Sequence, residues 1–127
     1  MARKKSINLT EAELRLMDVV WEKGEATVGE VLKGLPEGHG LAYNTVLTTL
    51  RILEQKGYLR HVKPGGRAFV YQALIGRKQA SQNAVRHLVS RFFGNSPELL
   101  VLNLLEDEEL SRKELRRIRN LFQENGK

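Results

Sequence analysis

The 127-residue chain contains no cysteine, three prolines and only 6% aromatic residues. Without cysteine it has no disulfides, no thiolate metal ligands and no cysteine nucleophile. No apolar run approaches the ~20 residues that span a membrane as a helix. The basic start, Met1-Ala2-Arg3-Lys4-Lys5, has no long apolar segment behind it, so it does not read as a secretory signal, and a cytoplasmic protein is expected. Scarce aromatics leave no platform of stacked rings for sequence-specific RNA recognition.

Catalytic and metal-binding patterns are missing as well. His39, His61 and His87 are scattered and lack ligand spacing, so no metal site and no cofactor is expected. The acidic run Glu106-Asp107-Glu108-Glu109 lacks the alternating ligands and mid-loop glycine of a calcium loop. Gly65-Gly66 does not sit between a strand and a helix, as a phosphate-binding loop must. No Ser or Thr comes with an evident His–acid pair. The expectation is a protein that is not an enzyme.

What is present is positive charge and well-marked helices. The formal net charge is +6, which favours acidic partners such as nucleic acid or an anionic surface. Residues 42–72 hold Arg51, Lys56, Arg60, Lys63 and Arg67 against Glu54 alone. A solvated basic face is the plain reading of any charge run, so the organisation of this stretch must decide.

Thr10-x-x-Glu13, Thr27-x-x-Glu30 and Ser111-x-x-Glu114 read as capping boxes, and Ser96-Pro97 as a cap followed by proline at the first helical position. Helix one is expected over about Glu11 to Trp21, with Leu14, Met17, Val20 and Trp21 as its apolar stripe. Helix two follows over about Val28 to Lys33, with Val31 and Leu32 inward. A breaker-rich loop, residues 35–40, leads to helix three over about Ala42 to Lys56, and Gly57 stops it.

On helix three, Tyr43, Val46, Leu50 and Leu53 share one face. Asn44, Thr48, Arg51 and Gln55 lie opposite, with Thr45 and Thr49 beside them. Threonine is a weak helix former, so a cluster of it on the outer face points to a task other than helix stability. A tolerated polar surface is the alternative. Tyr43 either joins the core with Val46 or reaches outward with its hydroxyl.

The next segment, YLRHVKPGGRAFVYQAL, places two β-prone runs, Leu59 to Lys63 and Ala68 to Gln72, around Pro-Gly-Gly. That is a hairpin signature. Helix, helix, loop, helix and basic hairpin make a winged helix-turn-helix. The predicted fold class is mainly α with a small β-hairpin wing, followed by a helical dimerisation domain. Residues 1–75 form the DNA-binding domain and residues 76–127 the second unit. In such folds the second helix of the turn unit enters the major groove. The DNA-binding candidates are therefore Tyr43, Asn44, Thr45, Thr48, Thr49 and Arg51. Asn pairs bidentately with adenine, Thr bonds to bases or meets the thymine methyl, and Arg51 suits guanine or phosphate. Lys63 and Arg67 bracket the wing tip and suit phosphate or the minor groove.

The second unit is three amphipathic or apolar segments. Ala84, Leu88 and Phe92 continue a stripe from Ala80. PELLVLNLLE carries Leu99, Leu102 and Leu105, and the last helix carries Leu115, Ile118 and Leu121. Such short helices cannot bury these faces alone, and a symmetric homodimer is the economical partner. Packing back on the first unit is the alternative.

The segments LTEAELRLMDVVWEKGEATVGEVL, NTVLTTLRILEQKGYL, FVYQAL and LLVLNLLEDEELSRKELRRIRNL resemble the penicillinase repressor family, the BlaI/MecI regulators. The resemblance runs from about Leu9 to Phe122. It implies a dimeric repressor whose winged helices bind an operator dyad of double-stranded DNA. In the best-known members a membrane sensor for β-lactams triggers proteolysis between an Asn and a Phe in the dimerisation domain. The matching bond here is Asn103–Leu104, with Leu104 where those members have Phe. The expected function is thus a sequence-specific repressor, derepressed by a regulatory protease. Set against it are a nonspecific or architectural DNA-binding protein and a winged-helix module that binds protein.

Overall fold

Threonine and serine hydroxyls start four of the six described helices, and the distances show it. The structure, a computed structural model, describes residues 8–66 and 68–125. Its elements are α1 (Glu11–Lys23), β1 (Glu25–Thr27), α2 (Val28–Gly34), α3 (Tyr43–Gln55), β2 (Leu59–Val62), β3 (Val70–Ala73), α4 (Arg77–Phe92), α5 (Pro97–Leu105) and α6 (Arg112–Asn125). Thr10 Oγ1 accepts from the Glu13 N–H at 3.1 Å, and Glu13 Oε1 accepts from the Thr10 N–H at 2.8 Å. Thr27 with Glu30 and Ser111 with Glu114 repeat the reciprocal pair. Ser96 caps α5 by accepting from the Leu99 N–H at 3.3 Å, with Pro97 at the first helical position.

The boxes leave an electrostatic trace. The Thr27 backbone N–H holds the Glu30 carboxyl below its ordinary value, and the Ser111 N–H does the same to Glu114. A lowered folded pKa means a contribution complete above the unfolded value and lost as pH falls through the folded one. A carboxyl titration followed by NMR should give Glu114 a midpoint below that of a model peptide. An ordinary midpoint would show that the box on α6 is not closed in solution.

The N-terminal core joins α1, α2, α3 and the sheet. Leu16, Met17, Val20, Val31, Val46, Leu50 and Leu53 are each fully buried. Each such side chain stabilises the fold by about 1.5–3 kcal/mol. Leu14, expected in the α1 stripe, is 43% exposed, and Val19 takes a place in the core instead. At the other side of the α1 stripe, Trp21 is half-buried and donates its indole N–H to the Ile75 carbonyl at 2.9 Å.

The sheet has three strands in the order β1-β3-β2, both pairings antiparallel. The sequence shows the hairpin of β2 and β3 but not β1, which pairs Ala26 with Tyr71. Three residues between two helices are too few to show a period of two. Gly57, at φ 87°, turns the chain from α3 into β2, a conformation costly for a residue with a Cβ. Gly65 and Gly66, at φ 59° and 74°, make the wing turn.

Contacts divide the chain into two compact units, 1–85 and 86–127. The helix α4 runs through the division, and near its start Ala80 belongs to the first unit's core. In the second unit Val89 is the one buried residue among those described. The helix α5 has no buried residue at all. Among the described residues no helix is long and apolar enough to cross a membrane.

Candidate DNA-binding surface

Burial of Val46, Leu50 and Leu53 fixes which side of α3 faces out. A buried ion pair fixes its far end. Lys56, directly after α3, places Nζ 2.7 Å from Glu13 Oε1 and donates to the Asn8 carbonyl at 3.0 Å. The same Glu13 closes the α1 capping box, so one carboxylate starts α1 and anchors α3.

The face left outside is the one marked by the sequence. Asn44, Thr45, Thr48 and Arg51 are exposed, and Thr49 is half-buried. Thr49 donates its hydroxyl proton to the Thr45 carbonyl at 2.7 Å, so only its lone pairs and methyl face outward partners. Tyr43 is 51% exposed, which takes its ring out of the core. Ile52 is 38% exposed at the edge of this face.

The wing supplies the second side. Tyr43 and Arg51 of α3 line a groove of about 610 Å³ with Lys63 and Phe69 of the wing. Two cations on one groove beside a helix of short polar residues suit a phosphate backbone flanking read bases. Arg67, the other wing-tip candidate, lies outside the described residues.

Contacts that the sequence does not announce join wing to helix. His61 Nδ1 sits 2.8 Å from both carboxylate oxygens of Glu54 on α3. The His61 ring lies 4.5 Å from the Phe69 ring, over which the Lys63 ammonium stands at 5.5 Å. Beneath them, burial and then the Glu54 charge raise the Tyr71 phenol above its usual pKa. On the outer sheet face Arg60 donates to Gln72 at 2.8 Å, and Gln72 to Glu25 at 2.9 Å. Strand register creates these contacts, and no local spacing announces them. Among the described residues no cluster of three His, Cys, Asp or Glu could hold a metal ion.

Three helices, a β-hairpin wing and an outward polar helix define a winged helix-turn-helix protein of the DNA-binding class. The penicillinase repressor sequence model matches residues 9–124. The chain belongs to the penicillinase repressor family, a family of transcriptional repressors, not enzymes. The penicillinase repressor of Bacillus licheniformis is 31% identical over 122 residues, covering 96% of this chain and 94% of that protein. The methicillin resistance regulatory protein MecI of Mammaliicoccus sciuri is 23% identical, covering 93% and 95%. The solution structure of the DNA-binding domain of the repressor BlaI superposes with a TM-score of 0.51 at 35% identity, covering 61% of this chain and 93% of that one. The Bacillus licheniformis BlaI monomer in complex with the blaP half-operator gives 0.50 at 35% identity, covering 60% and 93%.

Proposed function

We propose that the protein is a sequence-reading repressor that binds a dyad operator as a homodimer. The observation that carries this is the outer face of α3, where Asn44, Thr45 and Thr48 stand exposed beside Arg51 and the wing's Lys63. A relative 35% identical in this region binds a half-operator as a monomer, which supports one winged helix per half-site. Asn44, Thr45 and Thr48 read base edges, with Thr49 contributing its methyl. Tyr43, Arg51, Lys63 and Arg67 hold phosphates. Work on operator DNA implies a cytoplasmic protein.

The second copy covers the apolar surface of the second unit. Leu88, Phe92, Leu99, Leu102, Leu105 and Leu121 are each at least 39% exposed in the single chain. Leu115 and Ile118 are half-buried beside them. Ala84 is exposed one residue before the division between units. Derepression by a protease, under a membrane sensor, cuts Asn103–Leu104. That bond lies inside α5, so the helix must unwind before a protease can take it.

Base reading and mere charge attraction separate in one experiment. Asn44→Ala or Thr48→Ala should weaken binding to the cognate site by about 1–3 kcal/mol and leave random DNA nearly unaffected. Equal losses on both would mean an architectural protein that reads no sequence.

A further inference from the structure

A second concave site shares no residue with the groove beside α3. It is a cavity of about 430 Å³ between α1 and the first turns of α4, all within the first unit. Small-molecule sites usually occupy about 300–1,000 Å³. Its walls are Leu9, Leu14, Trp21 and Tyr58, and Arg77 and Asp18 supply its charges. The cavity explains why Leu14, on the buried side of the expected helix stripe, is 43% exposed.

The Trp21 wall is held in orientation. The Trp21 indole is tied by its N–H to the Ile75 carbonyl at 2.9 Å, and the Arg77 guanidinium stacks 5.1 Å from its ring centroid. Arg77 spends Nη1 on Asp18 at 3.1 Å. Both side chains of that pair are about half exposed, at 57% and 46%, so it is weak and open to exchange. The guanidinium keeps further donors in a planar fork, which matches a carboxylate.

We propose that this cavity binds a small aromatic carboxylate, its rings against Trp21 and Leu14 and its carboxylate on Arg77, and that occupancy controls operator binding. The control follows from α4. Ala84 lines the cavity, and the same unbroken helix continues to Phe92 in the second unit. A ligand against Ala84 therefore bears on the helix that joins the DNA-reading unit to the dimerising one. This part rests on the dimeric-repressor reading above.

Trp21 is the chain's single tryptophan, so its indole N–H resonance reports occupancy without DNA. The probe is 2-naphthoate, titrated into the full-length protein, with 2-naphthol as the uncharged control. The expected result is a saturable shift of the Trp21 indole resonance. Arg77→Gln should weaken it at least about tenfold. Ser81→Phe, filling the cavity from an exposed position outside the proposed dimer surface, should abolish it. Saturating 2-naphthoate should also change operator affinity in the wild type but not in Ser81→Phe. No saturable shift, or one equal for 2-naphthol or for Arg77→Gln, overturns the site. A normal shift with unchanged operator affinity overturns the control. Failure to bind any operator would instead sink the repressor reading, while the indole resonance would still decide the site.

Discussion

Leu102→Asp should leave the protein monomeric and weaken its binding to a dyad operator by ~10²–10⁴-fold, the gain that tethering two modules gives. Leu102 sits on α5, a helix with no buried residue, and is 48% exposed in the single chain. An aspartate there meets water in the monomer and costs the chain's own fold little. In a dimer interface it would be an unpaired charge removed from water, which is costly. Among the described residues of the second unit, eight large apolar side chains from Leu88 to Phe122 are exposed in the single chain, the surface that a second copy would cover. Affinity for a half-site should stay the same, because no base-reading residue has changed. Gel filtration and operator titration check both halves. A variant that still elutes as a dimer and binds the operator as the wild type does would contradict the account.

Lys56→Met should destabilise the winged-helix unit by about 3 kcal/mol, because it strands the Glu13 carboxylate in a buried site. Glu13 is 5% exposed, and the Lys56 side chain 14%. Against a typical stability of about 5–15 kcal/mol this is large, and should lower the melting temperature by on the order of 10 °C. The double variant Glu13→Gln with Lys56→Met should recover much of the loss. Gln still closes the capping box with Thr10 and leaves no buried charge. Additive losses in the double variant would show that the pair's charge is not what matters. Lys56 also holds the end of α3 to the start of α1, so the single variant should weaken operator binding more than melting alone explains.

Much of the fold is legible in the sequence because its signals are local. Thr10, Thr27, Ser96 and Ser111 mark helix starts that the structure reproduces to within a residue or two. Glycines at 24 and 57 mark the stops of α1 and α3. The polar face of α3 is legible too, since helical period alone separates Asn44 and Thr48 from Val46 and Leu50. What escapes the sequence depends on pairing across the chain. The strand β1 exists only because Glu25–Thr27 meets β3, more than forty residues away. Glu54 and His61 meet because β2 folds back along α3, and Glu13 meets Lys56 across 43 positions. Leu14 fits the apolar stripe by period, yet it lines a cavity, because periodicity reports a face and not what covers it. Thr49 shows the same limit at the site, where its hydroxyl is partly engaged by the helix itself.

On the function proposed above, two copies of this chain read a sequence dyad through α3. Selection of bound duplexes from a random DNA pool at physiological salt tests it most directly, with the oligomeric state measured in the same buffer. The account predicts a dimer and an enriched inverted repeat, its half-sites set by the helical repeat of about 10–10.5 base pairs. A flat pool, bound with a steep loss of affinity as salt rises, would contradict it and leave a charge-driven DNA coat in its place.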